Sequence, residues 1–222
     1  MQSQPSWHVA SYPRSGNHLV RAILKAYTNR PTEGCLGARF DPPIHQRKAN
    51  RANLIRINSD DPIGYKAHFL REIHARDRME GGPLGLILVT RDPAAAIASQ
   101  VTRILTEGRI LPWVSSRRKR IIIQDQIDIY LSLVFRYAAQ THAPRIHVRY
   151  EDLVSRDTAE PSARDFLARL GATLQGPSLA DVSALAKDSQ SSLGSKATDL
   201  KQEIQTEVRE RLTYDEVLSY LR

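Results

Sequence analysis

Residues 83–90, PLGLILVT, form an unbroken apolar run ending in a β-branched pair. A short run of this kind reads as a strand buried on both faces, as in a parallel sheet whose crossover helices cover it above and below. It passes directly into Arg91-Asp92-Pro93. Asp92 is a good helix N-cap and Pro93 suits the first helical position, so PAAAIASQVTRIL continues as a helix. Arg91 is thereby expected at the carboxyl end of a strand, where open α/β sheets bind their ligands.

A second strand–turn–helix unit opens the chain at residues 7–24, WHVASYPRSGNHLVRAIL. Residues 7–12 are a short apolar run closed by a proline, which is a strand signal. Residues 13–16 carry turn chemistry and one basic side chain. From Asn17 onward, Leu19, Val20, Ile23 and Leu24 recur at helical spacing, with Ser15 or Asn17 as the expected N-cap. The first amides of a helix lack internal partners, and the helix dipole places partial positive charge there. A turn holding Arg14, Ser15 and Gly16 at that point offers several donors to one anion, most naturally phosphate or sulfate. The plainer alternative is a capped helix following a strand. The turn is not a Walker A motif, because no glycine precedes it and no Lys-Ser/Thr pair ends it.

The remaining segments fill in an alternating α/β pattern. Residues 62–70, PIGYKAHFL, read as a strand on which Lys66 and His68, two apart, share a face. A cation beside an imidazole suits a site where one group stabilises developing negative charge and the other moves a proton. The competing reading is an edge strand with polar residues facing water. Residues 29–61 are rich in Pro, Gly, Asn, Asp and Arg, and read as a long connection that is part of an acceptor pocket, a lid, or a surface excursion. The basic run at residues 117–120 is either a patch that steers anions or a solvated helix start, and Trp113 lines a pocket or packs. Residues 121–139 predict a long core-facing helix. RIHVR at 145–149 is an alternating strand leading into Tyr150-Glu151-Asp152-Leu153, where the two acids are expected to brace the following helix. The final third reads as helical, over 161–170 (closed by Gly171), 179–186, 200–212 and 214–221. Between them Ser192, Gly194 and Lys196 are candidates for an anion nest.

A chain of 222 residues is long enough for one sizeable core and short for two. Its net charge of +8 implies anionic partners. A nucleic-acid-binding module should interleave aromatics with Lys and Arg on one face, yet aromatics are 6% of the chain and are not so clustered. The single cysteine, Cys35, excludes an intrachain disulfide and points to a reducing compartment. The N-terminal residues lack a signal-peptide apolar core, and no stretch approaches the ~20 apolar residues of a membrane span. A cytoplasmic protein without an integral membrane segment is expected. No cluster with metal-ligand spacing is visible, so no metal is expected.

Four short stretches carry a family resemblance. YPRSGNH resembles the 5′-phosphosulfate loop of the sulfotransferases that use 3′-phosphoadenosine 5′-phosphosulfate (PAPS), whose usual form is YPKSGTTW. Tyr12, Pro13, Ser15 and Gly16 match, and Arg14 stands where Lys is usual. Lys66-x-His68 resembles the family's KTH segment. Arg91 followed by Ser99 keeps the spacing of its 3′-phosphate signature, and Tyr150-Glu151-Asp152-Leu153 matches its YEDL tetrapeptide. The resemblance spans roughly residues 7–155, with the matches in the family's order.

That resemblance implies a single P-loop-like α/β domain over residues 1–222, with a parallel sheet of four or five strands flanked by helices. It implies in-line transfer of a sulfuryl group from PAPS to a hydroxyl or amine of a small molecule or carbohydrate, leaving adenosine 3′,5′-bisphosphate. Arg14, Ser15, Gly16, Asn17 and His18 would hold the 5′ end, Arg91 and Ser99 the 3′-phosphate, and Tyr150 would lie near the adenine. His68 would be the general base, with Lys66 and Arg14 assisting. Lys196 is the candidate substitute for an Arg-Lys-Gly triplet that the family has and this chain lacks. Asn17 and His18 replace the family's two threonines, which makes His18 a rival base, and Leu19 replaces the aromatic that stacks on adenine. These departures and the short chain suggest a bacterial-type or divergent member. The alternative in another class is a P-loop kinase or nucleotide hydrolase, which needs a Walker lysine and a Mg²⁺-binding carboxylate after a strand. Asp92 is the one candidate carboxylate, and it reads as a cap.

Overall fold

The computed structural model describes residues 7–30, 32–33, 63–107, 114–172, 177–187 and 195–222. Five strands, β1 (Trp7–Ser11), β2 (Thr32–Glu33), β3 (Gly64–Ala67), β4 (Gly85–Thr90) and β5 (Arg145–Arg149), form one sheet in the order β2-β3-β1-β4-β5. Every pairing is parallel. Four are full strands, and β2 is a two-residue addition at one edge. Helices alternate with them: α1 (Asn17–Thr28), α2 (Leu70–Met79), α3 (Pro93–Glu107), α4 (Ser116–Ala138), α5 (Tyr150–Val154), α6 (Ala159–Arg169), α7 (Leu179–Lys187), α8 (Ser195–Arg209) and α9 (Tyr214–Ser219). This is the α/β, P-loop-like architecture with a helical final third that the sequence implies.

All residues of β1 and β4 are buried, as double coverage requires. Alternation along β4 divides the core. Leu86 and Leu88 pack under α3, α4, α8 and α9, while Ile87 and Val89 pack under α1, α6 and α7. His8 is a buried titratable residue in β1. Its Nε2 meets Asp77 Oδ1 at 2.7 Å, and Asp77 Oδ2 accepts from Arg136 at 3.3 Å, so one hydrogen-bonded polar cluster ties β1 to α2 and α4. Burial nonetheless lowers the His8 pKa against the pull of Asp77.

Several boundaries differ from the sequence expectation. The third strand ends at Ala67, and residues 68–69 turn into α2, which the expected strand over 62–70 overran. Glu72 drives that turn by accepting from the amides of His68 (2.6 Å) and Phe69 (3.1 Å) with one oxygen. The basic run 117–120 is the solvated start of α4, with Ser115 Oγ accepting from the Arg118 amide. Within the 29–61 connection, Thr32 and Glu33 form β2, held by Arg21 Nε on Thr32 Oγ1 at 2.6 Å. Cys35, Trp113, Ser192 and Gly194 lie outside the described residues. Among the described residues, no helix is long and apolar enough to cross a membrane.

Candidate functional site

Because every strand runs the same way, the carboxyl ends of β3, β1, β4 and β5 lie along one edge of the sheet. Four of the residue groups singled out above leave from that edge: His68 after β3, the 12–16 turn after β1, Arg91 after β4 and Tyr150 after β5.

The turn after β1 is built differently from the expectation. Neither Ser15 nor Asn17 caps α1. Gly16 occupies the N-cap position at φ 89°, and no side chain bonds there. Asn17 is diverted because its Nδ2 donates back to Val9 O (3.1 Å) and Ser11 Oγ (3.0 Å), bracing the turn against the strand it leaves. Ser15 is fully buried, and its Oγ has no hydrogen-bond partner among the described residues. A buried hydroxyl without a partner is costly, and such a group calls for an explanation. Gly16 is required on a second count. A Cβ there would sit 2.2 Å from Cδ2 of Tyr150, so the Tyr150 ring closes directly over the turn.

Arg14 is also in the left-handed region, at φ 69°. A residue with a Cβ held there stores strain of the kind that clusters at ligand clamps. Its side chain and its carbonyl are both engaged by the second unit. Arg14 Nε donates to Ser99 Oγ at 3.2 Å, and Arg91 Nη1 donates to Arg14 O at 3.0 Å. The Arg91 guanidinium also lies 5.0 Å from the centre of the Tyr150 ring. Arg14, Gly16, Arg91, Ser99 and Tyr150 therefore make one contiguous cluster.

Arg91 is held from behind. Its carbonyl accepts from the buried Tyr130 hydroxyl at 2.6 Å. The Asp92 amide donates to Glu151 Oε1 at 2.9 Å, and Asp92 Oδ1 caps α3 by accepting from the Ala94 amide at 2.9 Å. Glu151, expected to brace the helix after it, reaches across to the β4 exit instead. Its other oxygen accepts from the Tyr214 hydroxyl at 3.1 Å, and that hydroxyl is 3.1 Å from Thr90 Oγ1, which in turn is 2.7 Å from His147 Nε2. Burial pushes the Tyr214 phenol up to about 12 and the His147 imidazole down to about 4.

Lys66 lies buried on β3. His68 is no longer on the strand, so the two do not share a face by alternation, because β3 stops before it. His68 Nδ1 is 2.7 Å from Ser11 O, at the point where the turn after β1 begins. A carbonyl can only accept, so the neutral ring carries its proton on Nδ1 and its basic lone pair on Nε2. His18, the second residue of α1, is exposed. Lys196 is the second residue of α8, and its side chain lies outside what is described. Lys201, five residues further along α8, carries no sequence motif. Burial and then the charges of Arg91 and Arg14 lower its pKa. Compared with protein-family models and with curated proteins, the chain matches none.

Proposed function

We propose that this protein is a PAPS-dependent sulfotransferase acting on a hydroxyl or amine of a small molecule or carbohydrate, and that residues 1–222 work as one cytoplasmic domain. The observation that carries this reading is the joining of Arg14, Arg91 and Ser99 by two hydrogen bonds. The family resemblance assigns these residues to the two anionic ends of one nucleotide, and they could have lain apart. The orphaned Ser15 hydroxyl fits an anion in the turn, which would supply the acceptor it lacks.

The donor brings an activated sulfuryl group, and the transfer itself asks the protein mainly for positioning and charge stabilisation. Arg14 and the first amides of α1 would hold the 5′ end, and Arg91 with Ser99 the 3′-phosphate. Arg suits this task because its planar fork can hold a backbone carbonyl and a phosphate oxygen together. His68 Nε2 would take the proton of the acceptor, its ring aligned by Ser11 O. Lys66 would stabilise negative charge at the bridging oxygen.

Asp92 is drawn away from a magnesium role, because one oxygen caps α3 and the other lies 3.9 Å from Arg209. Thermal unfolding with added nucleotides separates the two enzyme classes. Adenosine 3′,5′-bisphosphate should raise the melting temperature while ATP with Mg²⁺ does little, and the opposite pattern would favour a kinase or hydrolase. A labelled-donor assay over panels of sugars, phenols and amines would then find the acceptor.

A further inference from the structure

The peptide unit between Arg91 and Asp92 is held at both of its polar ends by side chains from distant elements. Its carbonyl accepts from the Tyr130 hydroxyl of α4 at 2.6 Å, and its N–H donates to Glu151 Oε1 of α5 at 2.9 Å. A planar unit gripped on both sides does not rotate, so the backbone angles that aim the Arg91 side chain are fixed. Neither Tyr130 nor Glu151 bonds to the guanidinium itself. That group donates to Arg14 O and lies beside the Tyr150 ring.

Helix α3 has no acid of its own for this task. In a capping box the third helical residue serves the N-cap amide, as Glu72 does for Phe69 and Glu216 for Thr213. The third residue of α3 is Ala95. Glu151 takes that place from the exit of the neighbouring strand β5, and so ties the two exits together. Its second oxygen accepts from the Tyr214 hydroxyl at 3.1 Å, and that hydroxyl lies 3.1 Å from Oγ1 of Thr90, the residue just before Arg91. Residues 90–92 are thereby bonded to α4, α5 and α9.

We propose that Tyr130 and Glu151 are positioning residues for nucleotide binding, which act by fixing the Arg91–Asp92 peptide and with it the aim of the Arg91 guanidinium. The proposal rests on the sulfotransferase reading above. It predicts that their contribution to affinity passes through Arg91 and vanishes when that side chain is removed.

A double-mutant cycle in the full chain tests it, with affinity for adenosine 3′,5′-bisphosphate read by calorimetric titration and stability by urea unfolding. Glu151→Ala should weaken binding roughly 5- to 20-fold, yet less than about twofold when Arg91→Ala is already present. The loss of stability from Glu151→Ala should be the same in both backgrounds, because its bond to the Asp92 amide does not need the Arg91 side chain. Glu151→Gln still offers an oxygen to that amide and an N–H to Tyr214, and should bind within about threefold of wild type. Tyr130→Phe, which removes one oxygen from a buried ring, should repeat the dependence on Arg91 and serves if Glu151→Ala does not fold. If both variants bind as wild type, or weaken binding by the same factor with and without Arg91, the proposal is overturned while the sulfotransferase reading stands. If wild type does not bind the bisphosphate, the reading itself fails and the positioning role falls with it.

Discussion

The Arg91 guanidinium donates from Nη1 to the carbonyl oxygen of Arg14 at 3.0 Å. One side chain thus links the exits of two neighbouring strands, and it fixes the carbonyl of a residue held in the left-handed region at φ 69°. On the proposed reading, Arg91→Ala should therefore lose a phosphate contact and loosen the turn after β1 together. The expected fall in affinity for adenosine 3′,5′-bisphosphate is roughly 10- to 100-fold, from a charged hydrogen bond of about 1.5–3 kcal/mol. Arg91→Lys keeps the charge but has no planar fork to serve a carbonyl and a phosphate at once. It should recover less than half of the lost binding free energy in a calorimetric titration. Full recovery would mean that charge alone matters at this position.

Gly16 and Tyr150 are expected to be coupled. Gly16→Ala meets two obstacles, a φ of 89° and a Cβ 2.2 Å from Tyr150 Cδ2. Left-handed strain and overpacking together are worth roughly 2–4 kcal/mol. For a chain of this size that corresponds to a melting-temperature drop of roughly 5–15 °C. Removing the ring in Gly16→Ala/Tyr150→Ala relieves the clash but not the backbone strain. The double variant should therefore be less destabilised than the sum of the two single changes. Additivity in a thermal-unfolding cycle would show that the ring does not close over the turn.

The residues at the sheet edge were legible in the sequence because each directly follows an apolar run. Arg91 ends the run at 83–90 and Arg14 follows the run at 7–12. The groups that support them were not legible, because spacing reports only local periodicity. Glu151 lies 59 residues from the Asp92 amide it accepts from, and Tyr214 lies 124 residues from Thr90. Helix α2 was missed because Ile73 is its one buried residue and five of its ten residues are charged. The available signal was Glu72, an acid three residues past the turn, as in a capping box. The N-cap of α1 was assigned by side-chain preference to Ser15 or Asn17. Backbone bonding to β1 claimed the Asn17 amide, which left a glycine in the cap position.

His68 and its rival His18 can be separated by turnover. His68 is aligned by Ser11 O at 2.7 Å beside the turn, whereas His18 is exposed on α1. His68→Ala should lower turnover by about 10²- to 10⁴-fold, the usual worth of a positioned proton acceptor. Its affinity for adenosine 3′,5′-bisphosphate should stay within a few-fold of wild type, because the ring is not assigned to the donor. His18→Ala keeps the backbone amide through which it would hold the donor, and should turn over at a rate near wild type. If His68→Ala is active and His18→Ala is not, the base is on α1.

His147 makes folding stability fall in mild acid. Burial, with the charges of Arg149 and Arg169 adding to it, holds its imidazole down to about 4, against 6.5 for the ordinary group. The unfolded chain takes up this proton as pH falls through about 6.5, while the folded chain refuses it until near pH 4. Stability is therefore complete above pH 6.5 and is lost progressively down to about pH 4, by an amount of order 3 kcal/mol. His8, whose pKa burial also lowers, contributes with the same sign. His147→Gln removes its titration from that window, so its urea midpoint should fall less steeply with pH between 6.5 and 4. An unchanged slope in the variant would mean that the folded protein protonates His147 near the ordinary value. The 2.7 Å contact with Thr90 Oγ1 would then not be holding a neutral ring.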